Sequence, residues 1–202
     1  MGDIKKTDTK QDITYAFIDT QNLNLGVQDL GWKIDWAKFR TYLKDKYKVG
    51  TAYLFMGYID GNQSLYKKLQ NSGYTIIFKR TLKLKNGKVK GNVDAELVLH
   101  TMIEKENFDK AVVVTGDGDF LCLIEHLIEC AKLKALLVPN RKKWSSLFKI
   151  KTIDPFIRHV DDLQCKLEYK KRALIKTELY KGHLSFVNIL IVAYSKQIIN
   201  RT

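Results

Sequence analysis

The sequence predicts an α/β fold in which a parallel sheet is covered by helices on both faces. Short apolar runs typical of strands alternate with helix-like stretches along the 202 residues, an order that favours strand–helix–strand units. Several of these runs are apolar throughout and do not alternate with polar residues, as expected for strands buried on both faces. Two of the runs end on aspartate, which points to a site at one edge of the sheet.

The individual elements follow from the position of the apolar runs. Strands are predicted at 13–18, 51–56, 74–78, 111–115 and 135–138, and helices at 35–46, 62–72, 93–105 and 119–132. Asn92 is a suitable N-cap for the helix at 93–105, because its short amide can accept from the first turn. No helix is predicted between the first strand and residue 35.

Three regions are expected along the chain. Residues 1–12 are polar and predicted to be disordered, and residues 13–163 carry the repeating strand and helix pattern. Residues 164–202 are first highly charged and then apolar, which predicts a tail of one or two helices. This tail could pack on the domain, join copies into a homo-oligomer, or bind another partner.

The net charge indicates a polyanionic partner. Lys and Arg number 35 against 22 Asp and Glu, a balance of +13, and such an excess favours nucleic acid or an acidic membrane surface. The alternative is a basic protein without such a partner. The apolar run at 184–194 is too short to span a bilayer, so no membrane span is expected.

Cysteine usage suggests a reducing compartment. The three cysteines are odd in number and form no CxxC pair, which disfavours a zinc site or a disulfide framework. The first residues also lack the apolar segment of a signal peptide, and a cytoplasmic location is therefore expected. Cys122 and Cys130 lie among apolar residues and are expected in the core.

Three aspartates are expected to meet at the carboxyl edge of the sheet. Asp19 ends the first strand, while Asp117 and Asp119 follow the fourth in the segment Thr115-Gly116-Asp117-Gly118-Asp119. Ligands of open parallel sheets bind at this edge, where the strand order reverses. Clustered carboxylates repel one another and are best tolerated around a hard cation such as Mg²⁺.

Three further residues are candidates for the same site. Asp94 falls in the first turn of the helix at 93–105, where it could ligate a metal or serve only as a favourable partner of the helix dipole. Asn22 could orient a phosphate or an attacking water, or could cap the loop. His100 lies further along the same helix and could be catalytic, solvated or part of the core.

Basic residues provide candidate contacts to a phosphate backbone. Asn86-Gly87 predicts a two-residue hairpin turn, in which Lys85 would face Lys88 and Lys83 would face Lys90. A face of four lysines would be relieved by phosphates, since like charges opposite each other are unfavourable; the alternative is a flexible, solvated loop. Further phosphate contacts are expected from Arg141, Lys142 and Lys143, while Trp144 could stack on a base or anchor the following segment.

Three segments together resemble the motifs of NYN domains, a family of the PIN-like nuclease group. They are Phe17-Ile18-Asp19-Thr20-Gln21-Asn22-Leu23, Lys90-Gly91-Asn92-Val93-Asp94, and Val114-Thr115-Gly116-Asp117-Gly118-Asp119-Phe120. The resemblance covers about residues 13–163. It implies a three-layer α/β/α sandwich and metal-dependent RNA cleavage, with Asp19, Asp94, Asp117 and Asp119 matching the acidic site. His100 departs from the family pattern, which often has an acidic residue there.

The leading hypothesis is a metal-dependent ribonuclease that uses Mg²⁺ or Mn²⁺. The four aspartates would be catalytic and metal-binding, and Asn22 would position phosphate or water. DNA is not excluded as the substrate, because phosphate contacts do not distinguish the sugar. The departure at His100 supports an alternative, a non-catalytic RNA-binding or scaffold module. A haloacid-dehalogenase-type phosphohydrolase is disfavoured because Gln21 stands where that family needs a second aspartate.

Overall fold

The protein is represented by a computed structural model that describes residues 11–79, 82–83, 89–90 and 93–170. For the two short segments at 82–83 and 89–90, only the backbone is considered. The contacts divide the chain into one unit at residues 1–169 and a second at 170–202, and the description below concerns the first.

A six-stranded parallel sheet forms the centre of the fold. Its strands are β1 (Thr14–Asp19), β2 (Val49–Gly57), β3 (Thr75–Lys79), β6 (Lys110–Val114), β7 (Leu133–Val138) and β8 (Ile157–His159). They lie in the order β3-β2-β1-β6-β7-β8, and every pairing in this sheet is parallel. The strand order reverses between β1 and β6, which places the predicted switch point between the two aspartate-ended strands.

Six α-helices accompany the strands in the described residues. They are α1 (Thr20–Gln28), α2 (Trp36–Tyr47), α3 (Gln63–Asn71), α4 (Asp94–Ile103), α5 (Leu121–Glu129) and α6 (Gln164–Leu167). The core divides into two buried clusters. One contains side chains of α1 and α2, and the other contains side chains of α4 and α5. The predicted three-layer α/β/α sandwich is therefore confirmed.

Strand β1 shows how the sequence produces the two clusters. Successive side chains of a strand point to opposite faces, so Ala16 and Ile18 join the cluster of α1 and α2. Phe17 joins the cluster of α4 and α5 and stacks on Tyr53 with ring centroids 5.6 Å apart. Both faces of the sheet need apolar side chains, which explains why the interior of the strand is apolar at every position.

Helix α1 was not predicted from the sequence. The Asp19 side chain caps it by accepting from the backbone N–H of Asn22, and Leu23 and Val27 are its buried residues. The segment contains two asparagines and a glycine, which are weak helix formers. The cap and the burial of the two apolar side chains explain its helical structure.

Two short strands pair where the lysine hairpin is predicted. They are β4 (Leu82–Lys83) and β5 (Val89–Lys90), and they run antiparallel. The backbone pairs Lys83 with Val89 and Leu82 with Lys90, so the predicted pairing of Lys83 with Lys90 is wrong by one position. Lys85, Lys88 and the predicted cap Asn92 lie outside the described residues.

The C-terminal end of the described chain packs on the domain. Strand β8 was not predicted; it has only three residues and forms the edge of the sheet beside β7. After α6, Glu168 forms an isolated antiparallel bridge with Ile34. The predicted tail helices beyond Lys170, and the oligomer contact expected of them, lie outside the described residues. Within the described part of the chain, no helix is long and apolar enough to cross a membrane.

The expected burial of two cysteines is not found. Cys122 is exposed and Cys130 is half-buried, and all three cysteines are free thiols. Helix α5 directs Leu123, Ile124 and Leu127 into the core, which leaves Cys122 on the outer side of its first turn. Apolar neighbours in sequence were therefore a poor guide to burial on this amphipathic helix.

Candidate metal centre

The candidate site lies where β1 and β6 run side by side. Ile18 is paired with Val114 in the sheet, so the residues that follow each strand emerge next to each other. Asp19 is the last residue of β1, and the segment from Thr115 to Asp119 follows β6. Residues that are about one hundred positions apart in the sequence thus converge at one edge, as predicted.

Three carboxylates form a group that could hold a metal ion. One oxygen from each of Asp94, Asp117 and Asp119 lies within 4.8 Å of the other two. Asp94 begins α4, whereas Asp117 and Asp119 belong to the turn after β6. In the described residues, this is the single group of three or more His, Cys, Asp or Glu side chains with such spacing. An all-oxygen, anionic donor set fits Mg²⁺ or Mn²⁺ better than a softer metal.

Asp19 lies beside this group but is not one of its three members. Its side chain is only 5% exposed, and its Oδ1 accepts from the backbone N–H of Asn22 at 3.0 Å. Burial, together with the nearby Asp94 and Asp117 carboxylates, raises the pKa of Asp19 to about 6, against the opposing effect of the Asn22 hydrogen bond. A cation at the group would offset these unfavourable effects on the charged form.

The turn after β6 fixes the two aspartates through local hydrogen bonds. The backbone N–H of Asp117 donates to Thr115 Oγ1 at 3.1 Å, and Thr115 is fully buried. Asp117 Oδ1 in turn accepts from the backbone N–H of Asp119 at 3.1 Å. Thr115 therefore supports this turn through its hydroxyl, and one Asp117 oxygen orients the next residue of the cluster.

The two glycines of this turn allow neighbouring chain segments to approach closely. A Cβ added at Gly118 would lie 2.8 Å from Leu147 Cδ1 and would overlap Ser145 even more severely. At Gly116, an added Cβ would lie 3.4 Å from both Asn22 Oδ1 and Trp144 Cβ. Gly118 is therefore required by packing, whereas Gly116 lies at a tight but less restrictive position.

Asn22 connects the two halves of the site. Its Oδ1 accepts from the backbone N–H of Gly116 at 2.8 Å, so α1 is tied directly to the turn that carries the aspartates. The sequence leaves two roles open for Asn22, orienting a phosphate or water and capping the loop. This bond supports the second role, because it holds a loop in place. Ser145 makes a similar contribution that sequence reasoning missed, because its backbone N–H donates to Gly116 O at 2.9 Å. No local motif marks Ser145, which reaches the turn only through the fold.

Helix α4 directs its polar residues to different surroundings. Glu96 forms an ion pair with Lys79, with Lys79 Nζ 3.0 Å from Glu96 Oε2. His100 packs on the aromatic rings of β2, with its ring centroid 5.8 Å from that of Phe55 and 6.4 Å from that of Tyr53. His100 therefore lies against the aromatic layer, and neither residue belongs to the three-carboxylate group.

The basic residues after β7 are partly engaged by acids. Arg141 Nε donates to Asp161 Oδ2 at 2.9 Å, and its guanidinium also contacts Asp162. Lys143 Nζ lies 2.9 Å from Asp29 Oδ2, while the side chain of Lys142 is exposed. Exposed ion pairs contribute little free energy, so these side chains can still exchange a carboxylate for a phosphate.

Trp144 serves as an anchor in the structure. It is half-buried against the core cluster of α4 and α5, and its ring stacks near Phe148 with centroids 6.5 Å apart. The ring of His159 meets it edge-on at 5.8 Å. The sequence leaves two roles open for Trp144, stacking on a base and anchoring the following segment. These contacts support the anchoring role.

An acidic group at the switch point of a doubly covered parallel sheet is the arrangement of PIN-like nuclease folds. The family model of the NYN domain matches residues 14–152, and the chain therefore belongs to the NYN domain family, which confirms the resemblance of its three motifs. NYN domains are RNA-associated domains of nuclease type, and PIN-like nucleases usually use divalent metals.

Two individual proteins are similar to this chain. It is 31% identical over 124 residues to the low amplitude and bright protein LabA of Synechococcus elongatus, a match that covers 55% of this chain. The chain spans 65% of the length of LabA, just under two thirds. A crystal structure of VPA0982, a protein of unknown function from Vibrio parahaemolyticus, superposes with a TM-score of 0.62 at 18% identity, covering 77% of this chain and 97% of the other. The similarity to VPA0982 supports the fold alone.

Proposed function

We propose that the protein is a metal-dependent ribonuclease that hydrolyses phosphodiester bonds of RNA at the acidic group. The observation that carries the proposal is the approach of the Asp94, Asp117 and Asp119 carboxylates to within 4.8 Å of one another. Such a cluster is costly unless its charge is neutralised. The family and the net charge of +13 favour a polyanionic substrate.

The three carboxylates of the group would hold Mg²⁺ or Mn²⁺, and Asp19 would complete the acidic surroundings from the end of β1. When bound, the cation would supply positive charge to the scissile phosphate and would lower the pKa of an attacking water. Asn22 and Ser145 would act as positioning residues, because both hold the turn that carries Asp117 and Asp119. The exposed Lys142 would contact the RNA backbone without reading its sequence.

RNA cleavage with Mn²⁺ tests the proposal. The purified full chain should cleave a single-stranded RNA when Mn²⁺ is present, and chelation with EDTA should stop the reaction. Asp117→Asn should lower the cleavage rate at least about 100-fold, a typical loss when electrostatic stabilisation of the transition state is removed. Asp45→Asn is a matched control, because Asp45 is an exposed residue of α2 and its substitution should leave the rate unchanged.

Two results would contradict the proposal. Equal cleavage by the wild-type protein and by Asp117→Asn would mean that the activity is a contaminant. Salt-sensitive RNA binding without cleavage under any divalent metal would support the non-catalytic binding module instead. The packing of His100 on the β2 aromatics, at a position that is often acidic in the family, is the observation that favours this second candidate.

A further inference from the structure

A pocket of about 370 Å³ adjoins the acidic group on the β2 side of β1. Thr20, which directly follows Asp19, and Val93, which directly precedes Asp94, both contribute to its wall. Neighbouring strands are roughly 4.7–4.9 Å apart, so the pocket at the ends of β1 and β2 lies about one strand from the junction of β1 and β6. Its volume falls within the roughly 300–1,000 Å³ of small-molecule sites.

The lining of this pocket combines aromatic and amide groups. Trp36 and Tyr66 provide aromatic walls, and Gln21, Asn24 and Asn62 provide side-chain amides. An amide both donates and accepts hydrogen bonds, as the edges of nucleobases do. The Tyr66 hydroxyl is already held by the backbone N–H and the carbonyl of Ile59, at 2.9 and 3.1 Å, so its ring is a fixed part of the wall.

Two polar side chains of the lining have unused hydrogen-bonding capacity. The Thr20 hydroxyl oxygen is buried and has no hydrogen-bond partner among the described residues. Asn62 occupies the N-cap position of α3, yet its side chain makes no capping hydrogen bond. The Thr20 hydroxyl oxygen lies beneath the surface of the pocket, out of reach of a ligand, whereas the Asn62 amide is available to one.

We infer that this pocket binds the nucleoside adjacent to the scissile phosphate, with the amides of Asn24 and Asn62 as its polar contacts. This inference rests on the proposed function, since it is the acidic group that defines where the phosphate lies. The nucleoside must be unpaired, because a base inside the pocket cannot also be paired in a duplex. The pocket would therefore select single-stranded RNA over duplex RNA.

Binding of free nucleosides in EDTA tests the pocket separately from catalysis. Adenosine, guanosine, cytidine and uridine carry no phosphate, so their binding does not require a metal at the acidic group. Ligand-observed NMR with the full chain should show binding of at least one nucleoside. Asn62→Ala removes an amide from the wall of the pocket and should weaken binding by roughly fivefold, the equivalent of one neutral hydrogen bond.

Control variants separate loss of contact from loss of fold. Asn62→Ala should leave the melting temperature nearly unchanged, because the Asn62 side chain makes no capping hydrogen bond. Asn71→Ala is the matched control, since Asn71 is an exposed residue at the end of α3, and it should bind nucleosides like the wild-type protein. Asn24→Phe should block the pocket by adding bulk and abolish binding.

The results also distinguish the pocket from the proposed reaction. Failure of all four nucleosides to bind, or equal binding by wild type, Asn62→Ala and Asn24→Phe, would overturn the nucleoside pocket, even if RNA is cleaved. Nucleoside binding that is lost in Asn24→Phe would support the pocket, even if no metal produces cleavage.

Discussion

At the residue scale, Asp19 is both a helix cap and a buried acid. Its Oδ1 accepts from the Asn22 N–H, which stabilises the first turn of α1. Its burial and the neighbouring Asp94 and Asp117 carboxylates raise its pKa to about 6. The Asp19 side chain therefore stabilises the fold by accepting a hydrogen bond. It destabilises the fold through its buried negative charge.

Asp19→Asn should stabilise the metal-free protein at neutral pH. Asn is about as good an N-cap as Asp, and the substitution removes a carboxyl group whose pKa in the folded state is raised from its ordinary value of 3.8 to about 6. A carboxylate of this kind favours the folded state at low pH, and that contribution is lost as the pH rises from about 4 through about 6. The expected gain at pH 8 is about 1–3 kcal/mol, since one pKa unit corresponds to about 1.4 kcal/mol.

Urea unfolding in EDTA at pH 4 and pH 8 measures this effect. The gain from Asp19→Asn should be much smaller at pH 4, where Asp19 is protonated in the folded state. An equal gain at the two pH values would contradict a charge-based cause. The exposed Asp45→Asn serves as the control and should leave the free energy of unfolding nearly unchanged at both.

At the scale of elements, the turn between β6 and α5 depends on the chain that follows β7. Ser145 donates its backbone N–H to Gly116 O, and its side chain occupies the space where a Gly118 Cβ would lie. The positions of Asp117 and Asp119 are thus set partly by a segment almost thirty residues further along the sequence.

Gly118→Ala should displace this turn. We expect a loss of about 1–3 kcal/mol in the free energy of unfolding, as for other overpacked sites, together with weaker Mn²⁺ binding measured by calorimetry. The double variant Gly118→Ala with Ser145→Gly should recover much of both losses, because it removes the Ser145 atoms, which clash most severely, and leaves only the end of the Leu147 side chain to move. Ser145→Gly alone is the reference for the loss of the Ser145 side chain. No recovery in the double variant would show that the cause is not this contact.

The elements also show which parts of the fold the sequence could predict. The strands of the sheet interior were predictable because β1, β2, β6 and β7 are long apolar runs. Helix α1 and strand β8 were missed because α1 depends on the Asp19 cap and tertiary burial, and β8 has only three residues. The aspartates of the site could be found from local motifs, whereas Ser145 and the pocket beside Thr20 are defined by contacts between distant segments.

At the scale of the whole molecule, the charge of +13 predicts salt-sensitive binding to RNA. Each phosphate contact on a single strand contributes about 0.7 to the slope of log affinity against log salt concentration. Lys142→Ala should therefore reduce the magnitude of this slope by about 0.7 in a binding titration with EDTA present. Lys44→Ala, on the exposed side of α2, is the control. An unchanged slope in Lys142→Ala would remove Lys142 from the RNA contact surface.

The pairing of β1 with β6 has a consequence for synthesis of the protein. Thr14 to Ile18 pair with Lys110 to Val114, so the central pair of strands forms only after more than half of the chain has been made. Contacts this distant in sequence slow folding. A nascent chain that has not yet emerged as far as Asp117 also lacks two of the three clustered carboxylates. The three-carboxylate group is therefore assembled late, and a growing chain on the ribosome lacks it until the second half of the sheet is in place.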